Sequence, residues 1–146
     1  MKYFYRRQNR LDLTLKLYED LHQRNPDFQN LNLALASTYI QLGRYKEATI
    51  ALEESVSKNP QQLDPLKTLG SLYFQQKEWM KAAAVYDKIV TFFPESHDMH
   101  QFKIQALVAA GKQEEACNEL KDYLASYPDD AIAKNQYQTL QKIIKK

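Results

Sequence analysis

The apolar positions in the first part of the chain fit two kinds of secondary structure. From Leu11 to Leu17, leucines alternate with polar residues, as in a half-buried strand. Apolar residues there also fall three or four apart on two faces of a helix: Leu13, Leu17 and Leu21 on one, and Leu11, Leu15 and Tyr18 on the other. A helix with two apolar faces should be covered on both. For the segment Leu11–Leu21 we expect the next helix pair to cover one face, and something absent or intermolecular to cover the other.

A repeat of constant length decides between strand and helix. Successive prolines are 34 residues apart: Pro26, Pro60, Pro94 and Pro128. When each block is counted so that its proline is position 32, position 11 holds Tyr5, Tyr39, Tyr73 and Leu107, and position 20 holds Thr14, Ala48, Ala82 and Ala116. A period of this length is typical of two-helix units that stack and bury one another's apolar faces. The leucine-rich segments align with unambiguous helices further along, so we predict that they are helical.

Each block is predicted to hold an antiparallel helix A and helix B, joined by a tight turn. In the second block helix A runs from about Gln29 to Leu42, and helix B from about Lys46 to Lys58. At one position in each turn we expect a left-handed backbone conformation. The residues at this position are Asn9, Gly43, Lys77 and Gly111. At Lys77 that conformation should cost about 1 kcal/mol if it is kept. Each periodic proline should end helix B by restricting the residue before it.

The pattern resembles the tetratricopeptide repeat family over nearly the whole chain. The residues that carry the likeness are Leu69, Gly70, Tyr73, Trp79, Ala82, Tyr86 and Pro94 in the middle block, Ala36, Tyr39, Gly43, Tyr45, Ala48, Leu52 and Pro60 before it, and Gly111, Ala116, Leu120 and Pro128 after it. The large aromatic that the family often has at position 4 is missing: Asn32, Leu66 and His100 stand there, which should loosen the packing slightly. The resemblance implies an all-α fold, a right-handed superhelix of antiparallel helix pairs.

The register divides the chain into segments of one predicted domain. They are a truncated first repeat (residues 1–28), three repeats (29–62, 63–96 and 97–130) and a C-terminal capping helix (131–146). Met1 falls at position 7 of a helix A, so we expect the chain to begin inside a larger protein rather than with a stunted repeat. The amphipathic segment from Ala131 onward ends in lysines. We therefore expect a polar capping helix with no further repeat after it, at a true C-terminus.

A second stripe on each helix A is expected to bind a partner. Positions 2, 5, 9, 12 and 13 share a face opposite the one that packs on helix B, and the resemblance implies that this face lines a concave groove. The candidate residues are Asn30, Leu33, Ser37, Ile40, Gln41, Lys67, Ser71, Phe74, Gln75, Gln101, Gln105 and Val108, with Asp64, Asp98, Ala109, Asn135, Thr139 and Lys142 at further positions of the stripe. Amides and hydroxyls can bind a peptide backbone there, while apolar side chains enter pockets between them. Lys67 is the sole cation at the central positions, which disfavours a groove that grips C-terminal carboxylates.

Charge and composition exclude several classes of function. The chain has 20 Lys and Arg against 18 Asp and Glu, a net charge of +2, and its only basic runs are the terminal Arg6–Arg7 and Lys145–Lys146, so no nucleic-acid partner is expected. No apolar run approaches the roughly 20 residues of a membrane span, and we expect no membrane insertion. A single cysteine excludes an internal disulfide and fits either a reducing compartment or a periplasmic domain.

Residues typical of catalysis or metal binding are sparse. Cys117 resembles an ordinary small helix residue, since no histidine is placed to act as its base. His97 and His100 are three residues apart and form at most half a metal site, because no third ligand converges on them. Three glycines are too few for a phosphate-binding loop. The sequence therefore predicts no catalysis, no metal and no cofactor.

Three hypotheses for function remain open. The leading one is a binding module whose groove takes a peptide or helix of a partner protein or of its own parent chain. The second is self-association as a homodimer through the helix Leu11–Leu21 of the incomplete first repeat. The third is an accessory segment of a larger multidomain protein or enzyme.

Overall fold

The fold is built from helices alone. The computed structural model describes residues 2–28 and 30–145, apart from the side chains of Lys2 and Phe4. Within these residues it contains no strand and eight α-helices: α1 (Lys2–Arg24), α2 (Leu31–Gln41), α3 (Tyr45–Lys58), α4 (Leu63–Gln75), α5 (Trp79–Phe92), α6 (His97–Ala109), α7 (Gln113–Ser126) and α8 (Ala131–Ile144). Gln29, where the second block's helix A was expected to begin, lies outside the described residues, as do Met1 and Lys146. The all-α prediction is confirmed.

The chain divides into two compact units, Met1–Leu72 and Tyr73–Lys146, and the division falls inside α4. In the first unit α1 packs on α2 and α2 packs on α3. Buried residues of these helices are Leu15, Leu31, Leu35, Ala36, Ala48, Leu52 and Val56. In the second unit α5 packs on α6, α6 on α7, and α7 on α8. Buried residues there include Tyr86, Ile89, Ile104, Leu107, Leu120, Ala133 and Leu140.

Three of the turns between paired helices share one backbone geometry. The left-handed residues are Gly43 (φ 74°), Lys77 (φ 62°) and Gly111 (φ 78°). In each turn this residue donates its N–H to the carbonyl three residues earlier, and the next residue donates to the carbonyl five residues before it, at 2.8 to 3.1 Å. Together the two bonds form a Schellman motif, which satisfies carbonyls at the helix end. The left-handed conformation predicted for Lys77 is therefore confirmed.

We expect Lys77→Gly to raise the free energy of unfolding by about 0.5–1 kcal/mol. A left-handed conformation costs a residue with a Cβ about 1–2 kcal/mol, and the extra unfolded-state entropy of glycine offsets part of that gain. Gly111→Ala is the matched opposite, since an added Cβ meets no atom within 4 Å and any loss comes from the backbone alone. Urea unfolding followed by circular dichroism measures both variants. A Lys77→Gly protein less stable than the wild type contradicts this explanation.

The periodic prolines lie just beyond helix ends, as predicted. The helices α1, α3, α5 and α7 each end two residues before a proline. The residue directly before the proline has a ψ of 82° at Asn59, 69° at Phe93 and 67° at Tyr127. These values are outside the helical range, because the proline ring crowds the backbone of the preceding residue.

The first helix differs from the expected hairpin. The turn predicted at Asn9 is absent, and α1 is one continuous helix of 23 residues. Arginine and glutamine, which surround Asn9, are good helix formers, and asparagine inside a helix costs only about 0.7 kcal/mol relative to alanine. Along α1 Leu15 is buried, while Leu13 and Leu17 are 63% and 57% exposed. One of the two apolar faces predicted for this helix is therefore covered and the other faces solvent.

Candidate functional site

The second unit carries an apolar groove lined by α6 and α8, with Phe74 from the end of α4. Its volume is 560 Å³. We call it the α6–α8 groove, and its lining residues are Phe74, Ile104, Gln105, Val108, Ala109, Asn135, Gln136, Thr139, Leu140 and Ile143. Six of these lie on the predicted stripe: Phe74, Gln105, Val108, Ala109, Asn135 and Thr139. The fold thus brings together stripe side chains that are up to 65 residues apart in sequence.

The groove combines accessible apolar surface with polar groups in its wall. Val108 is 38% exposed and Ile143 is 51% exposed. The buried Oε1 of Gln136 accepts no hydrogen bond from any described group. A buried acceptor without a donor is unfavourable, because burial has removed its hydrogen bond to water.

Four lining residues were not predicted as part of the stripe: Ile104, Gln136, Leu140 and Ile143. Ile104 and Leu140 are buried and belong to the helix-packing face, so their spacing assigns them to the core. Ile143 was recognisable only as an apolar residue of the amphipathic last helix. Whether these residues line the groove depends on how α8 packs against the other helices, which a helical period does not determine.

A hydrogen-bonded cluster at the start of α8 holds three helices together. Tyr123 of α7 donates its hydroxyl to Oδ2 of Asp130 at 2.8 Å, and the same hydroxyl lies 2.7 Å from Nδ1 of His97. Asp130 caps α8 by accepting from the N–H of Ala133 at 3.1 Å. The bond from Ala133, and then that from Tyr123, lower the pKa of Asp130. Burial, together with the bond to Asp130, raises the pKa of Tyr123 to about 12.

A buried lysine joins α5, α6 and α7 through two carboxylates. Lys103 is 8% exposed, and its Nζ lies 2.8 Å from Oδ1 of Asp87 and 2.6 Å from Oε1 of Glu119. Burial alone would lower the pKa of Lys103, but the bonds to the two carboxylates outweigh it and raise that pKa. Its charge is therefore neutralised within the fold. No sequence pattern predicted this network, because its members lie on three helices.

Comparison with known proteins identifies the repeats. Models described as tetratricopeptide repeat match residues 5–70 and residues 68–96, and together they span more than half of the chain. The chain belongs to the tetratricopeptide repeat family. The protein described as "Uncharacterized protein ycf37" of Pyropia yezoensis is 32% identical over 92 residues, which are 62% of this chain and 52% of that protein. The chain therefore spans about half the length of this relative.

Solved structures of several proteins show the same fold. One from Parabacteroides merdae ATCC 43184 is 22% identical, with a TM-score of 0.64, and the match covers 95% of this chain and 54% of that one. The MamA protein is 17% identical, with a TM-score of 0.70, over 94% of this chain and 75% of its own. The first TPR of Spaghetti (RPAP3) bound to HSP90 peptide SRMEEVD is 20% identical, with a TM-score of 0.58, over 76% of this chain and 88% of its own. The fold is thus an all-α solenoid of tetratricopeptide repeats.

Tetratricopeptide repeats generally serve as scaffolds for protein–protein interaction and are generally not enzymes. This array of repeats is a protein–protein interaction module. Among the described helices, none combines the length and the apolar character needed to cross a bilayer. No group of three His, Cys, Asp or Glu side chains in the described residues is arranged to hold a metal ion. His97 contacts Tyr123, His100 lies 3.0 Å from the carbonyl of Pro94, and Cys117 is half-buried in α7.

The other predicted residues of the repeat stripe are mostly open to solvent. In the first unit the exposed ones are Asn30, Ser37, Gln41, Lys67 and Ser71, while Leu33 and Ile40 are half-buried. In the second unit Gln75 is exposed and Gln101 of α6 is half-buried, outside the lining of the α6–α8 groove. Asn30 has a left-handed backbone (φ 63°), which the sequence did not reveal.

Proposed function

We propose that this chain binds a peptide or a helix of a partner protein in the α6–α8 groove. The observation that carries the proposal is the combination of accessible apolar side chains with the unpaired acceptor of Gln136 in one concavity. An apolar anchor would contact Phe74 and Val108, while a peptide N–H would pair with Gln136. We also propose that the exposed stripe residues of α2 contact a polypeptide, and that those of α4 do so independently.

The chemistry of the groove favours an apolar anchor over an acidic one. Among the residues that line it, none is Lys or Arg. The Spaghetti repeat bound to a peptide supports a peptide as the class of ligand. The absence of cations from this lining argues against recognition of a ligand's carboxylates as the main source of affinity.

A charge in the apolar part of the groove tests the proposal. We expect Val108→Glu to weaken, at least ten-fold, the binding of peptides selected against the wild type from a random displayed library, because the carboxylate would have to be desolvated. Fluorescence polarisation measures the affinity. The matched control is Ile132→Glu, which adds the same charge to a residue of α8 that is 71% exposed and outside the lining.

Two results would count against the proposal: equal affinity of the wild type and Val108→Glu, or an equal loss in Ile132→Glu. Val108 is preferable to Phe74 as the probe. The ring of Phe74 packs edge-on against the ring of Trp79, with 4.9 Å between the ring centroids. Removal of the Phe74 ring would therefore also disturb the fold.

Self-association through α1 is a second candidate function, favoured by the exposed leucines of that helix. Leu13, Leu17 and Leu21 form one stripe and are 63%, 57% and 37% exposed. Contiguous exposed apolar surface commonly marks an interaction site. We propose that two copies pack these stripes together.

That the chain spans about half of its relative also fits an accessory segment of a larger protein, the third hypothesis.

Light scattering tests the second candidate. We expect the wild type to have the mass of a dimer, and Leu13→Lys together with Leu17→Lys to have that of a monomer, because two ammonium groups would lie in an apolar interface. Ile50→Lys is the control, since Ile50 is 63% exposed on α3, away from the stripe. A wild type that remains monomeric at high concentration excludes this candidate.

A further inference from the structure

The first unit contains a polar pocket that is separate from the α6–α8 groove. Its volume is 390 Å³. Its lining residues are Pro26, Asp27, Phe28 and Asn30 before α2, Asn32 in α2, Ser55 and Lys58 at the end of α3, and Asn59 and Gln62 after it. Within this lining Asn32 and Ser55 are buried, at 7% and 8% exposure.

Asn32 is the feature that points to a ligand. Its Oδ1 is buried and accepts no hydrogen bond from any described group. One repeat later the same position holds Leu66, which is 0% exposed, so an apolar side chain is compatible with this position of the repeat. A buried amide oxygen without a donor destabilises a fold. A ligand that pairs with the amide would remove that cost.

The charges around the pocket favour a neutral ligand. The ammonium of Lys58 donates to the carbonyl of Pro26 at 2.7 Å and lies 3.3 Å from Oδ1 of Asp27 and 3.6 Å from Oε1 of Glu54. Two carboxylates thus compensate one cation. An anion would have to compete with them for Lys58, and a cation would meet Lys58 itself.

We propose that this pocket binds a carboxamide group of a polypeptide, either the side chain of Asn or Gln or a backbone peptide unit. A carboxamide is neutral and offers both a donor and an acceptor, so it can pair with Asn32 in either orientation of the Asn32 amide. This site does not depend on the proposed function of the α6–α8 groove.

Titration with small amides tests the site. Acetamide stands for the Asn or Gln side chain, and N-methylacetamide for the backbone. With either probe we expect a saturable shift of the Asn32 side-chain NH₂ signal in ¹⁵N–¹H spectra. Sodium acetate and methylammonium chloride should bind at least ten-fold more weakly. The amide that binds more tightly identifies the source of the carboxamide.

Two variants at Asn32 complete the test. Asn32→Leu should abolish the saturable shift of the neighbouring Ser55 and Asn59 amides. It should also raise the melting temperature by several degrees, since the unpaired amide oxygen is gone. Asn32→Asp keeps the shape of the side chain and should weaken the binding of acetamide at least five-fold. This variant tests the site even if Asn32→Leu does not fold. Val108→Glu should leave the acetamide response unchanged, which separates this site from the groove.

The proposal is overturned if neither amide gives a saturable shift, if acetate binds as well as acetamide, or if folded Asn32→Leu keeps the response.

Discussion

Leu120→Ala is expected to lower the free energy of unfolding by about 2–5 kcal/mol, the cost typical of a buried leucine truncated to alanine. Leu120 is 0% exposed and is one of the largest fully buried side chains in the described residues. The substitution removes apolar contacts and leaves a cavity that the packed helices fill only in part. Urea unfolding followed by circular dichroism measures the loss.

The control for this experiment is Ile132→Ala, in the same unit. Ile132 is 71% exposed, so its truncation should change the unfolding free energy by at most about 0.5 kcal/mol. Equal effects of Leu120→Ala and Ile132→Ala would show that Leu120 of α7 is not buried in the core.

Ala82→Leu is expected to cost about 1–3 kcal/mol of unfolding free energy by the opposite mechanism, overpacking. The alanines at position 20 of their repeats, Ala48, Ala82 and Ala116, are all 0% exposed. No space is left at these positions for the larger leucine side chain, so the backbone or its neighbours must shift.

Ala84→Leu is the matched control for overpacking, because Ala84 is an exposed residue of the same helix. It should leave the urea midpoint nearly unchanged. An Ala82→Leu protein as stable as the wild type would mean that position 20 has room that the structure does not show.

The helices were predictable because their determinants are local and repeated. The proline interval of 34 residues set the register, and each proline acts on the residue directly before it. Gly43 and Gly111 marked two turns, and the register alone placed Lys77 in the third. The register failed at Asn9, where no glycine favours a turn and the neighbouring residues favour a continuous helix.

The groove was predictable in part. Helical spacing places Gln105 and Val108 on one face of α6, and Asn135 and Thr139 on one face of α8. Spacing does not determine how two helices approach each other. That arrangement depends on Tyr123 and its partners at the start of α8, which no single-helix pattern reveals.

The polar pocket shows a second limit of the pattern. The sequence indicated only that Asn32 replaces a larger residue and that the packing there should loosen. Whether the space closes, fills with apolar atoms or stays open as a polar pocket depends on residues from other segments, such as Ser55 and Lys58. Their convergence is a tertiary property, and it required the structure.

The most direct test of the central claim, that a polypeptide binds in the α6–α8 groove, is a ¹⁵N–¹H chemical-shift titration of the wild type with a library-selected peptide. We expect the largest shifts at Gln105, Val108, Asn135 and Thr139, and a corresponding loss of these shifts in Val108→Glu. Shifts confined to other surfaces, for example around Met80 and Asn118, would contradict the claim.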